Sequence, residues 1–117
     1  MNGIIFYGTE KYDDILTFYC DVVKCKTWLV QSDCTVLQHG NLLLGFCRRD
    51  HTDACGIICF YYPSRDDVDR MYDALKASAQ SPPKENPKYE IYHFFATDPD
   101  GRMIEFQCFD MQMPEVN

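Results

Sequence analysis

The strongest constraint on the fold is that the chain repeats itself. Gly3-Ile4-Ile5-Phe6-Tyr7 is matched 53 residues later by Gly56-Ile57-Ile58-Cys59-Phe60. Without a gap, the same register lays Asp13-Asp14-Ile15 on Asp66-Asp67-Val68 and Phe18-Tyr19 on Met71-Tyr72. Spaced identities in one register point to a duplicated unit of supersecondary structure. Two such units must share 117 residues, the size of one ordinary domain.

Each unit opens with a strand. Ile4 to Tyr7 and Ile57 to Tyr62 are β-branched and aromatic runs too short for buried helices. A helix follows in each. Ile15, Phe18, Tyr19, Val22 and Val23 make one stripe of a 3.6-residue period, and Val68, Met71, Tyr72, Leu75 and Ala79 make another. Asp13 and Asp14, and Asp66 and Asp67, suit the positive ends of these helices, and Ser64 is placed to cap the second. Strands are then expected at 27–31, 34–38 and 42–47, with turns at Ser32-Asp33 and His39-Gly40-Asn41. In the second unit, 81–87 is a Pro-rich loop or irregular edge strand, and 89–97 and 102–109 are strands. Asp98-Pro99-Asp100-Gly101 joins them, a turn in which Pro presets φ and Gly accepts a positive one. Both units therefore read β-α-β-β-β, with module 1 over 1–50, module 2 over 51–110 and a loose tail over 111–117, all in a single domain.

Composition narrows the function classes. The formal net charge is −7, and the only notable basic spot, Arg48-Arg49, runs straight into Asp50. Phosphate backbones are held by clustered Lys and Arg, so neither nucleic acid nor an anionic membrane surface is an expected partner. No apolar run approaches the roughly 20 residues that span a bilayer. The seven cysteines are an odd number without a Cys-x-x-Cys, and Glu10, Asp13 and Asp14 interrupt any secretory signal pattern. Free thiols in a cytoplasmic protein are the expectation. Aromatic residues at 15% hint at a ligand pocket or a broad interface besides the core.

The duplicated unit, the helix closing on Phe18-Tyr19, and the run Asp98-Pro99-Asp100-Gly101-Arg102-Met103-Ile104-Glu105-Phe106 together resemble the vicinal oxygen chelate superfamily. That group comprises glyoxalase I, the bleomycin-resistance proteins and the extradiol dioxygenases. The closing Asp-Pro-Asp-Gly hairpin with its Ile-Glu-Phe strand is the most specific of the three features. The resemblance implies an α+β fold in which two βαβββ modules form an incomplete eight-stranded barrel with helices outside. It also implies a concave ligand face. Enzymes of this type hold a divalent metal there, on His, Gln or Glu from the first and last strands of each module.

The implied ligand positions are poorly furnished. In the last strand, Ile104, Phe106 and Cys108 alternate with Met103, Glu105 and Gln107, so Glu105 points to the concave side. Its counterpart in module 1 is Leu44, or Gly45 after a slip of one, and the opening positions are Ile4 and Ile57. One carboxylate does not make a catalytic site that needs about three protein ligands. His39 falls in a turn, His51 in the link between modules, and His93 on a strand, expected to face away from Glu105. A register two residues earlier puts Asn2 and Cys55 at the opening positions, leaving Cys55 with Glu105 as the one way to a metal site. No metal and no cofactor are expected.

The concave face then reads Ile4, Phe6, Ile57, Cys59, Tyr61, Leu42, Leu44, Phe46, Met103, Glu105 and Gln107. Expected ligand-binding residues are Phe6, Phe46, Cys59, Tyr61, Met103, Glu105 and Gln107. Such an apolar face with one acid suits a small organic ligand, neutral or cationic with an aromatic body. The resulting expectation is a metal-free small-molecule binding protein, similar to the bleomycin-resistance branch and, like it, a homodimer. The alternatives are a metal-dependent lyase, isomerase or dioxygenase of the glyoxalase type, and a structural or regulatory dimer without a small ligand.

Overall fold

Alternating apolar and polar residues set the faces of the closing strand, and helix periodicity gives the layer that covers its apolar side. The computed structural model describes residues 1–116. By internal contacts the chain divides into two units, Met1–Ala54 with Pro99–Gly101, and Cys55–Asp98 with the described residues from Arg102 onward.

In the first unit, β1 (Ile5–Thr9) leads to α1 (Tyr12–Thr17), followed by β2 (Lys26–Val30), β3 (Cys34–His39) and β4 (Leu42–Arg48). The helix does not stop at Thr17. It widens into a π-helical turn over Phe18–Val22, where the Val23 N–H reaches the Phe18 carbonyl five residues back. The sheet order is β1-β4-β3-β2, with β1 parallel to β4 and the other pairs antiparallel. Ile15, Tyr19 and Val23 from the predicted stripe are buried, and Tyr19 stacks on Phe46 of β4 at 5.0 Å between ring centroids.

The second unit repeats this topology: β5 (Ile57–Tyr61), α2 (Arg65–Leu75), β6 (Lys84–Asn86), β7 (Ile91–Thr97) and β8 (Met103–Phe109), in the order β5-β8-β7-β6. Again the opening and closing strands are parallel and the rest antiparallel. Ser64 caps α2, its hydroxyl accepting from the Asp67 N–H. Val68 and Leu75 of α2 are buried with Ile58, Phe60, Phe94, Ala96, Ile104, Phe106 and Cys108. The α+β class and the two βαβββ modules are therefore the architecture. The ambiguous Pro-rich stretch resolves into the short edge strand β6 after Pro83. No helix or strand lies within 111–116, and Asn117 lies outside the described residues.

The expectation of seven free thiols is overturned. Cys34 and Cys47 form a disulfide, leaving Cys20, Cys25, Cys55, Cys59 and Cys108 free. The cause is register: the antiparallel pairing of β3 and β4 sets these two residues directly opposite each other. The bridge closes a sequence separation of 13 residues. By chain entropy, a loop of this size stabilises the fold by about 3 kcal/mol. Thiol titration of unfolded, non-reduced protein is expected to find five groups, rising to seven after reduction. Reduction is expected to lower the denaturant midpoint accordingly; an unchanged midpoint contradicts this account.

Candidate functional site

The face of the second sheet opposite α2 carries the chemistry. Parallel pairing aligns Cys59 of β5 with Glu105 of β8, Ile57 with Met103 and Tyr61 with Gln107. Antiparallel pairing then brings Phe95 beside Glu105 and His93 beside Gln107. Residues paired across neighbouring strands share a face, so Cys59, Tyr61, His93, Phe95, Met103, Glu105 and Gln107 project from one side. Five of the seven expected site residues are thus brought together in module 2.

At the centre of this face, His93 Nδ1 lies 2.7 Å from Glu105 Oε2, and both side chains are nearly buried, 9% and 13% exposed. The expectation that His93 faces away from Glu105 is wrong. The β7 sequence Ile-Tyr-His-Phe-Phe-Ala-Thr has no polar alternation to fix its faces, and only the pairing with β8 does so. Cys59 approaches Glu105 from the other side. Burial, then the Glu105 charge and a hydrogen bond to it, push the Cys59 thiol up to about 12. The thiol therefore stays protonated at neutral pH and donates to the carboxylate. Cys55, the residue considered for a metal site, is exposed and precedes β5.

Beside the His93–Glu105 pair opens a cavity of about 440 Å³, lined by Asn86, Tyr89, Ile91, His93, Phe95, Glu105, Gln107 and Phe109. Tyr61 is not part of it. Its ring packs edge-on against Phe109 at 5.6 Å and borders a separate, smaller groove with Tyr62, Pro63, Met111 and Met113. Met103 lines neither. Asn86, Tyr89, Ile91, His93, Phe95 and Phe109 are absent from the expected set. All but Phe109, the last residue of β8, come from β6, β7 and the turn between them, where the sequence pattern determines least.

Module 1 is built differently at the same positions. Phe6 pairs with Gly45, as Cys59 pairs with Glu105, so Gly45 rather than Leu44 is the counterpart of the acid. A Cβ at Gly45 would collide with the Phe6 ring at Cδ1 and Cε1, which means the ring lies over the glycine. Phe46, expected on the ligand face, is fully buried against Tyr19 on the helix-covered side, as is Leu44. The misplacement has a plain origin: Leu42, Leu43, Leu44, Gly45 and Phe46 show no polar alternation from which a face can be read. Gly45→Ala is expected to cost about 1–3 kcal/mol by overpacking. In a Phe6→Ala background most of that cost should vanish, which a double-mutant cycle in denaturant measures.

The residues do not fit a resident metal of the glyoxalase kind. Among the described residues, no group of three or more His, Cys, Asp or Glu side chains is arranged to hold an ion. The implied ligand positions are Ile4, Gly45 and Ile57, and the remaining one, Glu105, already accepts from His93 and Cys59.

The fold is that of the vicinal oxygen chelate proteins. It is similar to a glyoxalase/bleomycin resistance protein/dioxygenase from Nocardioides, with a TM-score of 0.74 and 12% identity over 100% of this chain and 89% of that one. A lactoylglutathione lyase from Agrobacterium tumefaciens aligns with a TM-score of 0.74 and 18% identity, over 92% of each chain. A genomically encoded fosfomycin resistance protein from Listeria monocytogenes aligns with a TM-score of 0.76 and 15% identity, also over 92% of each. No family model matches the sequence, and no curated protein does.

Proposed function

We propose that this chain, a single domain over residues 1–117 descended from a duplicated unit, is a metal-free small-molecule binding protein of the glyoxalase/bleomycin-resistance type. The observation that carries the reading is the module 2 cavity. It is walled by aromatic and aliphatic side chains, and one nearly buried His–Glu pair stands among its few polar groups. Glu105, at the position where the related enzymes place a ligand, is spent on organising His93 and Cys59 instead. The reading works as a homodimer. β1 and β5 are the edge strands of their sheets and expose Ile5, Phe6, Ile57 and Tyr61 at about half of their surface. Apolar edges of this kind are usually covered by another chain. Light scattering of a monomer at micromolar concentration counts against the pairing. Cytoplasmic location belongs to the same reading. The five free thiols support it, and the Cys34–Cys47 bridge argues the other way. No helix among the described residues is long and apolar enough to cross a membrane.

Elemental analysis tests the metal-free claim. Protein purified without chelator is expected to carry far less than one zinc, nickel, iron or manganese per chain. One equivalent that disappears in Glu105→Ala would overturn the proposal in favour of a glyoxalase-type enzyme.

A further inference from the structure

The hydrogen bonding around Glu105 fixes more than the position of His93. A carboxylate is an acceptor only, and here it receives a thiol from Cys59 and a ring nitrogen from His93. The ring must then carry its proton on Nδ1. In the neutral imidazole, the other nitrogen is left as a lone-pair acceptor. Nε2 has no hydrogen-bond partner among the described residues, and it is not one of the polar atoms sealed from solvent. His93 also lines the 440 Å³ cavity, with Phe95 edge-on to its ring at 5.3 Å.

We propose that His93 Nε2 is the polar anchor of the cavity, and that the ligand is a flat aromatic molecule bearing a hydroxyl or N–H donor that this nitrogen accepts. Glu105 lines the cavity but acts as a positioning residue: its carboxylate is engaged by His93 and Cys59 and selects the tautomer, and the ligand's donor goes to Nε2. The inference rests on the cavity being the binding site, and it reverses the polarity expected of an exposed acid. A free Glu105 would favour a cation, whereas the buried pair favours a neutral donor. Phe95 and Phe109 supply flat apolar walls for the ring, and Gln107 a second polar contact.

The test uses phenol and anisole, which differ in the donor and little else, titrated into the protein by NMR at a pH where His93 is neutral. Phenol is expected to bind about tenfold more tightly than anisole, the worth of one added hydrogen bond. His93→Phe should erase the preference. Glu105→Leu should erase it too, because the ring reverts to the Nε2–H form. Glu105→Gln should keep most of it, since its carbonyl still accepts from Nδ1–H. Nitrogen-15 shifts of the His93 ring provide a readout that packing alone does not move: Nδ1 protonated in the native protein and Nε2 protonated in Glu105→Leu. Equal binding of the two probes, or an Nε2–H ring in the native protein, overturns the anchor and leaves the cavity reading standing. Binding of neither overturns both.

Discussion

Replacing Asp98 by Ala is expected to remove about 3–5 kcal/mol of stability, because it takes away the carboxylate that neutralises a buried guanidinium. Asp98 and Arg102 flank the turn that precedes β8, and their side chains are both 0% exposed. Arg102 Nη1 donates to Asp98 Oδ2 at 2.7 Å, and the Arg102 backbone N–H donates to the other carboxylate oxygen at 3.0 Å. The carboxylate therefore neutralises the cation and also clamps the turn that starts the closing strand. Arg102→Met should cost less than Asp98→Ala, since the acid keeps its backbone donor and methionine fills most of the volume. Urea denaturation of the two variants checks the order. Equal costs below about 1 kcal/mol, the range of exposed ion pairs, would mean that the pair is solvated.

Phe106→Ala carries the second large effect, again about 3–5 kcal/mol. Phe106 is fully buried and stacks on Phe60 at 5.4 Å, Phe94 at 5.2 Å and Tyr62 at 6.4 Å. It is thus the hub of the aromatic layer between β5, β7 and β8 on the α2 side. Because Glu105 and Gln107 flank it on the opposite face, loosening Phe106 should also blur the cavity. Phe106→Leu retains much of the volume and should recover about half of the loss. A stability change under about 1.5 kcal/mol for the alanine variant would show that the core relaxes around the gap.

What the sequence discloses follows from where polarity alternates. In β8, Met-Ile-Glu-Phe-Gln-Cys-Phe sorts its faces by inspection, and the structure buries Ile104, Phe106 and Cys108 as that pattern requires. The helix stripes are equally plain up to Leu75, with Ala79 lying beyond the end of α2 in a bridge to Ala96, and the two units share one topology. Where a run is wholly apolar, as over 42–47 in β4, or polar groups fall irregularly, as in β7, only interstrand pairing decides the face. Phe46 and His93 were misplaced for that reason. The disulfide was hidden for a related one: nothing in the spacing of Cys34 and Cys47 singles them out until the register of β3 on β4 sets them opposite each other. Glu105 was legible as an inward acid, but its engagement by His93 and Cys59 was not, since those contacts join three strands.

The most direct test of the account is a heteronuclear NMR titration of EDTA-treated protein with phenol. If module 2 is a metal-free binding site, chemical-shift changes should saturate at one equivalent site per chain. They should concentrate on Asn86, Ile91, His93, Phe95 and Gln107, which line the cavity. Shifts that appear only after zinc or nickel is restored, or that fall elsewhere on the chain, would contradict it.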